Sequence, residues 1–378
     1  MANRNRKKMS AATFKKLVDH AAAYGTDIAN ADKVRWIKRL RDEDAELMSK
    51  ADVIDRRKIT RQMRAVLFEH EDRRFVAFFG FASVDDMPNG LPEGLTEIEL
   101  TPGTFGISVT ETEVMPRATA AEIRELIESE FEGVENYEGH ELQAIRDLFP
   151  RILIVEASVD FTYTSDIDRV LGAMVAATYI DGPIALSEAT LNAASELFSS
   201  GSEYIPYQNV LQGVLSIYWG GFFVDLYRCV EQLYAVPRLL DLTKDWSSSR
   251  SIAELADLLD KRLAWRPREE EALIRVIGGC PLATAKKLIS AFGGKLEETS
   301  IPADIAARHV YNMRNGLVHF RGDTKIAQPT DDQWDQIILA MIGLVSETYA
   351  AFGKQYHVAT AIAAPAMPVP AAPAAEPA

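Results

Sequence analysis

The last apolar stretch of the chain constrains the fold most. Trp334, Ile337, Ile338, Met341, Leu344, Val345, Thr348 and Phe352 recur at i, i+3, i+4 and i+7 almost without interruption, the period of one buried face of an α-helix. Thr330 and Gln333 have the spacing of a capping box and set its start. A second stretch, Tyr207 to Val236, is apolar nearly all round, with Leu211, Trp219, Phe222, Phe223, Leu226 and Val230 on every side. Such a helix has no solvent face and must be enclosed by other helices or an interface. Gly220-Gly221 inside it costs about 1 kcal/mol per glycine relative to alanine, which predicts a close helix approach or a kink. Asp225, Arg228 and Glu231 are the charges on this rod, Arg228 and Glu231 being spaced to pair.

Other helices surround these two. Asp166 is placed to cap a helix carrying Ile167, Val170, Leu171, Met174 and Val175, and another runs from Ser187 to Phe198. Pro237 and Asp245–Ser249 are expected to end the long helix in a loop. Three short helices follow over Ile252–Leu263, Glu269–Ile277 and Leu282–Phe292, and Gly293-Gly294 reads as a helix terminus.

Residues 1–164 have a different texture. Helical spacing over 10–50, broken at Gly25-Thr26, predicts two helices, the second carrying Val34, Ile37 and Leu40. A third is predicted from Val53 to His70, with Arg57, Arg61 and Arg64 as a basic stripe. A solvated face accounts for that stripe, and a nucleic-acid or partner contact is its functional reading. Phe75–Val84 is rich in aromatic and β-branched residues. Leu95–Leu100 and Phe105–Val109 flank Thr101-Pro102-Gly103-Thr104 as a predicted hairpin. Thr119 and Glu122 form a capping box for a helix to Glu130, Leu142–Leu148 is a short helix, and Ile152–Thr164 a strand. The predicted fold class is α+β: a mixed α/β region over 1–164, a helical bundle over 165–358, and a disordered Ala/Pro tail over 359–378.

The chain has 378 residues, 47% of them hydrophobic, enough for two domains. No apolar stretch of signal-peptide length follows its basic start, and no membrane span or anchor is expected. Cys229 and Cys280 are too few for a disulfide framework or a cysteine zinc site, so a reducing, cytoplasmic location is expected. The net charge of −14 is uneven: residues 1–75 carry 19 Lys and Arg against 12 Asp and Glu, whereas the remainder carries 22 against 43. An acidic remainder argues against a sequence-independent DNA coat. It leaves room for a local basic site.

That site is sought in Tyr311–Asp323, Y-N-M-R-N-G-L-V-H-F-R-G-D. On a helix Asn315 and His319 (i, i+4) share a face. Arg314 and His319 (i, i+5) lie roughly 140° apart, a gap that a long guanidinium can bridge. Arginine offers a permanently charged planar fork to phosphate oxygens, and histidine exchanges protons near neutrality. Together they meet the needs of RNA transesterification, a proton acceptor and donor plus a clamp for phosphate charge, and no metal is demanded. The plain alternative is that both cations favour a helix C-terminus through its dipole.

Arg314-Asn315-x-x-x-His319 resembles the R-x-x-x-x-H signature of the HEPN superfamily. The resemblance covers the C-terminal half and implies an all-α bundle and a metal-independent endoribonuclease of toxin or antiphage-defence systems. It further implies that two copies of the motif meet across a homodimer, with no cofactor. By resemblance Arg314 binds phosphate, His319 is general acid or base, and Asn315 orients them. Glu231 and Asp225, on the apolar helix, are second-tier candidates to face the site. Partners implied are an RNA substrate, a second copy, and an antitoxin or regulatory protein, with residues 1–164 sensing or restraining the bundle. The alternative is a catalytically inactive scaffold that binds RNA, nucleotide or a partner protein.

Overall fold

The computed structural model describes residues 5–38, 41–81, 87, 90–179, 182–245, 261, 269–319 and 329–357. The fold is α+β. Five antiparallel strands, β1 (Asp52–Lys58), β2 (Arg64–His70), β3 (Arg73–Phe79), β4 (Leu95–Glu97) and β5 (Ile152–Ala157), lie in the order β1-β2-β3-β5-β4. Alternation along them sends Leu67, Val76, Phe78, Leu153 and Val155 to one face and Val66, Phe68, Phe75, Ala77 and Ile154 to the other. Both faces are covered, which is why β2, β3 and β5 read as continuous apolar runs.

One cover is built by α1 (Arg6–Ala23), α2 (Asp42–Lys50), α3 (Pro102–Thr112), α4 (Ala120–Glu128) and α5 (Leu142–Arg146). The other is the helical half: α6 (Ile167–Ala177), α7 (Glu188–Ser200), α8 (Tyr207–Val214), α9 (Trp219–Glu231), α10 (Val236–Asp245), α11 (Glu269–Gly278), α12 (Leu282–Ala291), α13 (Pro302–Val318) and α14 (Asp331–His357). A single apolar core runs from the sheet through α6 into the bundle, across the turn at Thr162–Ser165. Arg57 ties the two parts with a bidentate pair from β1 to Asp168 on α6, at 2.6 and 2.9 Å. Among the described residues one helix, α14, is long and apolar enough to cross a membrane, and it packs on α7, α9 and α12 as the bundle's central rod.

Several expectations hold in detail. Asp166 accepts from the backbone N–H groups of Asp168 and Arg169 as the cap of α6, and Thr119 and Glu122 close their box at α4. The Thr330–Gln333 box opens α14, and Gly293 ends α12 at φ +67°, a conformation that favours glycine.

Others are corrected. Val53–His70 is a β-hairpin, so Arg57, Arg61 and Arg64 share no helical face: Arg57, on β1, pairs with Asp55 of its own strand and Asp168 of α6, exposed Arg61 lies in the turn, and Arg64 begins β2. Their spacing imitated a helix, whereas Ala65–Phe68 is a continuous apolar run that the sheet buries on both faces. Phe105–Val109 is helical: Thr101 is an N-cap and Pro102 the first helical residue, and the bare Gly103 admits Asp44, which accepts from the Gly103 N–H at 2.9 Å. Residues 34–38 are not helical but run along the 130–140 loop, where buried Arg35 donates to the carbonyls of Ile127, Lys33 and Asn30. The strand expected to Thr164 ends at Ala157. The long Tyr207–Val236 helix is broken at Leu215–Tyr218, and Pro237 opens α10 rather than closing the run before it. The break lets α8 turn back on α9 with Gly213 against the Phe222 ring, where a Cβ would come within 2.4 Å. The expected helix over Ile252–Leu263, apart from Lys261, and the tail 359–378 lie outside the described residues.

Two buried basic side chains carry testable consequences. Arg169, 5% exposed, donates to the carbonyls of Phe198, Ser199 and Gly201 at the end of α7 and lies over the Tyr207 ring. Arg169→Met strips those carbonyls of their donor and should cost about 1–3 kcal/mol or more, read by denaturant titration; an unchanged midpoint would refute this. His140 is enclosed by Phe14 and Tyr137, and burial lowers its pKa below the usual 6.5 despite the nearby Glu130 carboxylate. The unfolded chain therefore binds the proton more readily, so His140 favours folding above the usual value, and that contribution is lost as pH falls from there through the lowered folded-state value. His140→Gln should flatten that acid-side slope in melts taken between pH 5 and 7.5.

Candidate active site

The last turn of α13 delivers the three residues of the sequence motif. The helix stops at Val318, and His319 takes an extended conformation with its N–H on the Asn315 carbonyl at 2.9 Å. Arg314 then reaches back along its own helix. Its Nη1 donates to Asn315 Oδ1 at 3.0 Å and stands 3.3 Å from His319 Nε2. The guanidinium does bridge the i, i+5 gap. Because arginine has no lone pair to offer, His319 receives this contact only with Nε2 unprotonated, that is, as the neutral ring with its proton on Nδ1.

The other sides of the guanidinium are occupied from different helices. Tyr227 of α9 lies beneath it, with the guanidinium carbon 5.6 Å from the ring centre. Glu269, the first residue of α11, places a carboxylate oxygen 3.2 Å from Nη1, and Glu231 at the end of α9 approaches Nη2 at 3.9 Å. The Arg314 side chain is 16% exposed, whereas His319 is open to solvent. Tyr227 is fully buried and accepts from the Tyr234 hydroxyl at 2.7 Å, and burial pushes its pKa up to about 12. It is a neutral aromatic floor rather than a proton carrier.

Of the second-tier residues, Glu231 reaches the arginine and Asp225 does not. Asp225 pairs with Arg228 at 2.8 Å, and burial raises its pKa. Arg228 thus takes Asp225 as its partner, not Glu231 as its spacing suggested. His309, ten residues before His319 in the sequence, is stacked on Phe292 and half-buried, and burial lowers its pKa. Arg57, Arg61 and Arg64 belong to the sheet region and take no part in the cluster around Arg314.

Sequence reading missed Tyr227 and Glu269. Tyr227 had a signal, lying one helical turn before Glu231 on the same face of α9. Glu269 had none, since packing of α11 on α13 brings it in. Gly220 explains part of the local geometry: a Cβ there would come within 2.9 Å of Leu317 Cδ2, so its absence lets the first turn of α9 touch the last turn of α13. No three His, Cys, Asp or Glu side chains among the described residues converge to hold a metal ion. A cavity of about 860 Å³ between α7, α12 and α14 shares no lining residue with the Arg314 cluster.

Comparison of the chain with protein-family models, curated proteins and solved structures finds no match.

Proposed function

We propose that the chain is a metal-independent endoribonuclease of HEPN type, with Arg314 and His319 as its working pair. The observation that carries this reading is the guanidinium joined at once to Asn315 and to Nε2 of an exposed histidine. In the proposed reaction the Arg314 guanidinium turns from His319 to the phosphate, freeing the Nε2 lone pair to take the proton of a ribose 2′-hydroxyl; the 2′-oxygen attacks the adjacent phosphorus, and the bond from phosphorus to the 5′-oxygen breaks. Arg314 neutralises charge on the phosphate oxygens, with Asn315 holding its fork. The leaving 5′-oxygen needs a proton, and one imidazole cannot give and take in the same step. A second copy of the chain supplies the second imidazole, as the resemblance implies.

This reading makes the protein a cytoplasmic homodimer of toxin or antiphage-defence type, restrained by its own N-terminal half or by a regulatory partner. Wild-type protein should cut RNA at full rate in EDTA and leave 2′,3′-cyclic phosphate ends, detected by resistance to 3′-labelling until acid opening is followed by phosphatase removal of the resulting monophosphate. Cleavage that needs a divalent ion would sink the reading, as would a monomer by light scattering at micromolar concentration.

The Glu231 and Glu269 carboxylates favour a second reading, since they already neutralise the arginine that phosphate must reach. On it the domain is a silent scaffold for RNA, nucleotide or a partner protein. Toxicity of the expressed wild type, compared with the His319→Ala chain, separates the two.

A further inference from the structure

The mouth of the β1–β2 hairpin gathers positive charge that the fold does not balance. Lys58 and Arg64 are direct cross-strand partners, on the face that Val66 and Phe68 turn toward α1 and α3. Like charges so placed destabilise a sheet. Glu113, the residue after α3, is held in the left-handed region at φ +53° and pairs with Lys58. Its carboxyl is kept below the usual range chiefly by the Lys58 hydrogen bond, and further by the charges of Lys16 on α1 and of Arg64. One carboxylate is thus ringed by three cations. Neither Lys16 nor Arg64 is in an ion pair with a carboxylate among the described residues, and Arg64 Nε is closed off from solvent with no hydrogen-bond partner there. Burial lowers the Lys16 pKa, Glu113 opposing the shift and Lys58 adding to it. Arg61, in the hairpin turn, extends the patch: its Nη2 donates to the exposed Tyr24 hydroxyl at the end of α1, at 3.4 Å. Even with the carbonyl end of α3 counted as about half a negative charge, the three inner cations exceed what faces them by roughly one and a half charges. This excess stands in a chain of net charge −14.

We infer that the hairpin mouth is a binding site for a phosphate monoester, held by Lys16, Lys58 and Arg64 with Arg61 at its rim. Charge selects the ligand. A terminal phosphate carries about −1.5 to −2 near neutral pH and three acceptor oxygens, enough to cancel the excess and to give the arginine fork and both ammonium groups a partner. Backbone diesters carry one charge each, strung along a strand, and suit a stripe of cations rather than a knot. Once bound, the phosphate turns a repelling cross-strand pair into a bridged one. The site lies on the face of the sheet away from the helical bundle and does not depend on the ribonuclease reading.

The test uses the full-length Arg314→Ala chain, so that phosphate is not held at the bundle's own arginine. Titration calorimetry with inorganic phosphate, and with adenosine 5′-monophosphate against adenosine, should show one site that takes only the phosphate-bearing compounds. Adding Arg64→Gln or Lys16→Gln should weaken that binding by about tenfold or more, the loss of one charge-assisted hydrogen bond. Glu113→Gln frees Lys58 and should tighten it by about threefold. Without phosphate, Arg64→Gln should melt at or above the parent, because a repulsion has been relieved. Should the variants that lose a cation melt lower, Glu113→Gln, which keeps all three, decides alone: an unchanged affinity overturns the site. So does absence of phosphate binding at millimolar concentration, or equal affinity in the Arg64→Gln, Lys16→Gln and parent chains. An RNA strand with a 5′-hydroxyl end that binds through Lys16 and Arg64 as tightly as its 5′-phosphorylated form overturns the monoester assignment.

Discussion

His319→Ala is expected to lower RNA cleavage by about 10²–10⁴-fold, the loss that follows removal of a positioned proton-transfer group, with no measurable change in melting temperature. The two halves of that expectation have separate grounds. His319 lies past the end of α13, exposed, and the side-chain contact it makes is with Arg314 Nη1. Its removal creates no cavity and strands no buried group, so stability should hold. Activity should not, because the Nε2 lone pair, which accepts from Arg314 at rest, is the one the proposed reaction uses. His319→Gln is the sharper control: its amide still offers an acceptor to the arginine but cannot carry a proton, so it should be as dead as the alanine variant. Gel assays in EDTA measure the effect, and activity within a few-fold of the parent would remove His319 from the reaction.

Arg314→Ala should cost about 10²–10³-fold, the range seen when one charge-stabilising donor is lost from a transition state. Arg314→Lys should recover only part of it. Lysine keeps the charge, but the Asn315 and His319 contacts are made by two hydrogens of one planar nitrogen, and an ammonium cannot also lie flat on the Tyr227 ring. The Glu231 and Glu269 side chains, each about two-fifths exposed, are solvated when the cation goes, so folding should be little disturbed. A lysine variant as active as the parent would mean that charge alone matters there. An alanine variant that cuts normally would place the phosphate clamp elsewhere.

The parts of this molecule that could be read from sequence are those decided by neighbours along the chain. Capping boxes at Thr119 and Thr330, the Asp166 cap and the glycine stop at Gly293 are local hydrogen-bonding arrangements, and each falls where the residue types placed it. The Arg314–Asn315–His319 contact is local too, spanning a turn and a half of one helix end. The errors lie where tertiary contacts override propensity. Three arginines at helical spacing sit on a hairpin because β2 is claimed by a buried sheet. A stretch rich in Gly, Ser, Thr and Val becomes α3 because Asp44 and Thr101 satisfy its first turn. The apolar run after Tyr207 breaks at Leu215–Tyr218, where α8 folds back on α9 and Gly213 makes room for the Phe222 ring. Glu269 could not be foreseen, since nothing near it in the chain refers to α13.

The strands of the central sheet are shared between two owners. Along β2, β3 and β5 odd and even positions serve opposite cores, so a slip of one residue would exchange every one of them. Neither half can be inherited, truncated or transplanted without laying bare a ribbon of phenylalanine, valine and isoleucine. The N-terminal helices press on the reverse side of the same plate that supports the arginine-bearing bundle.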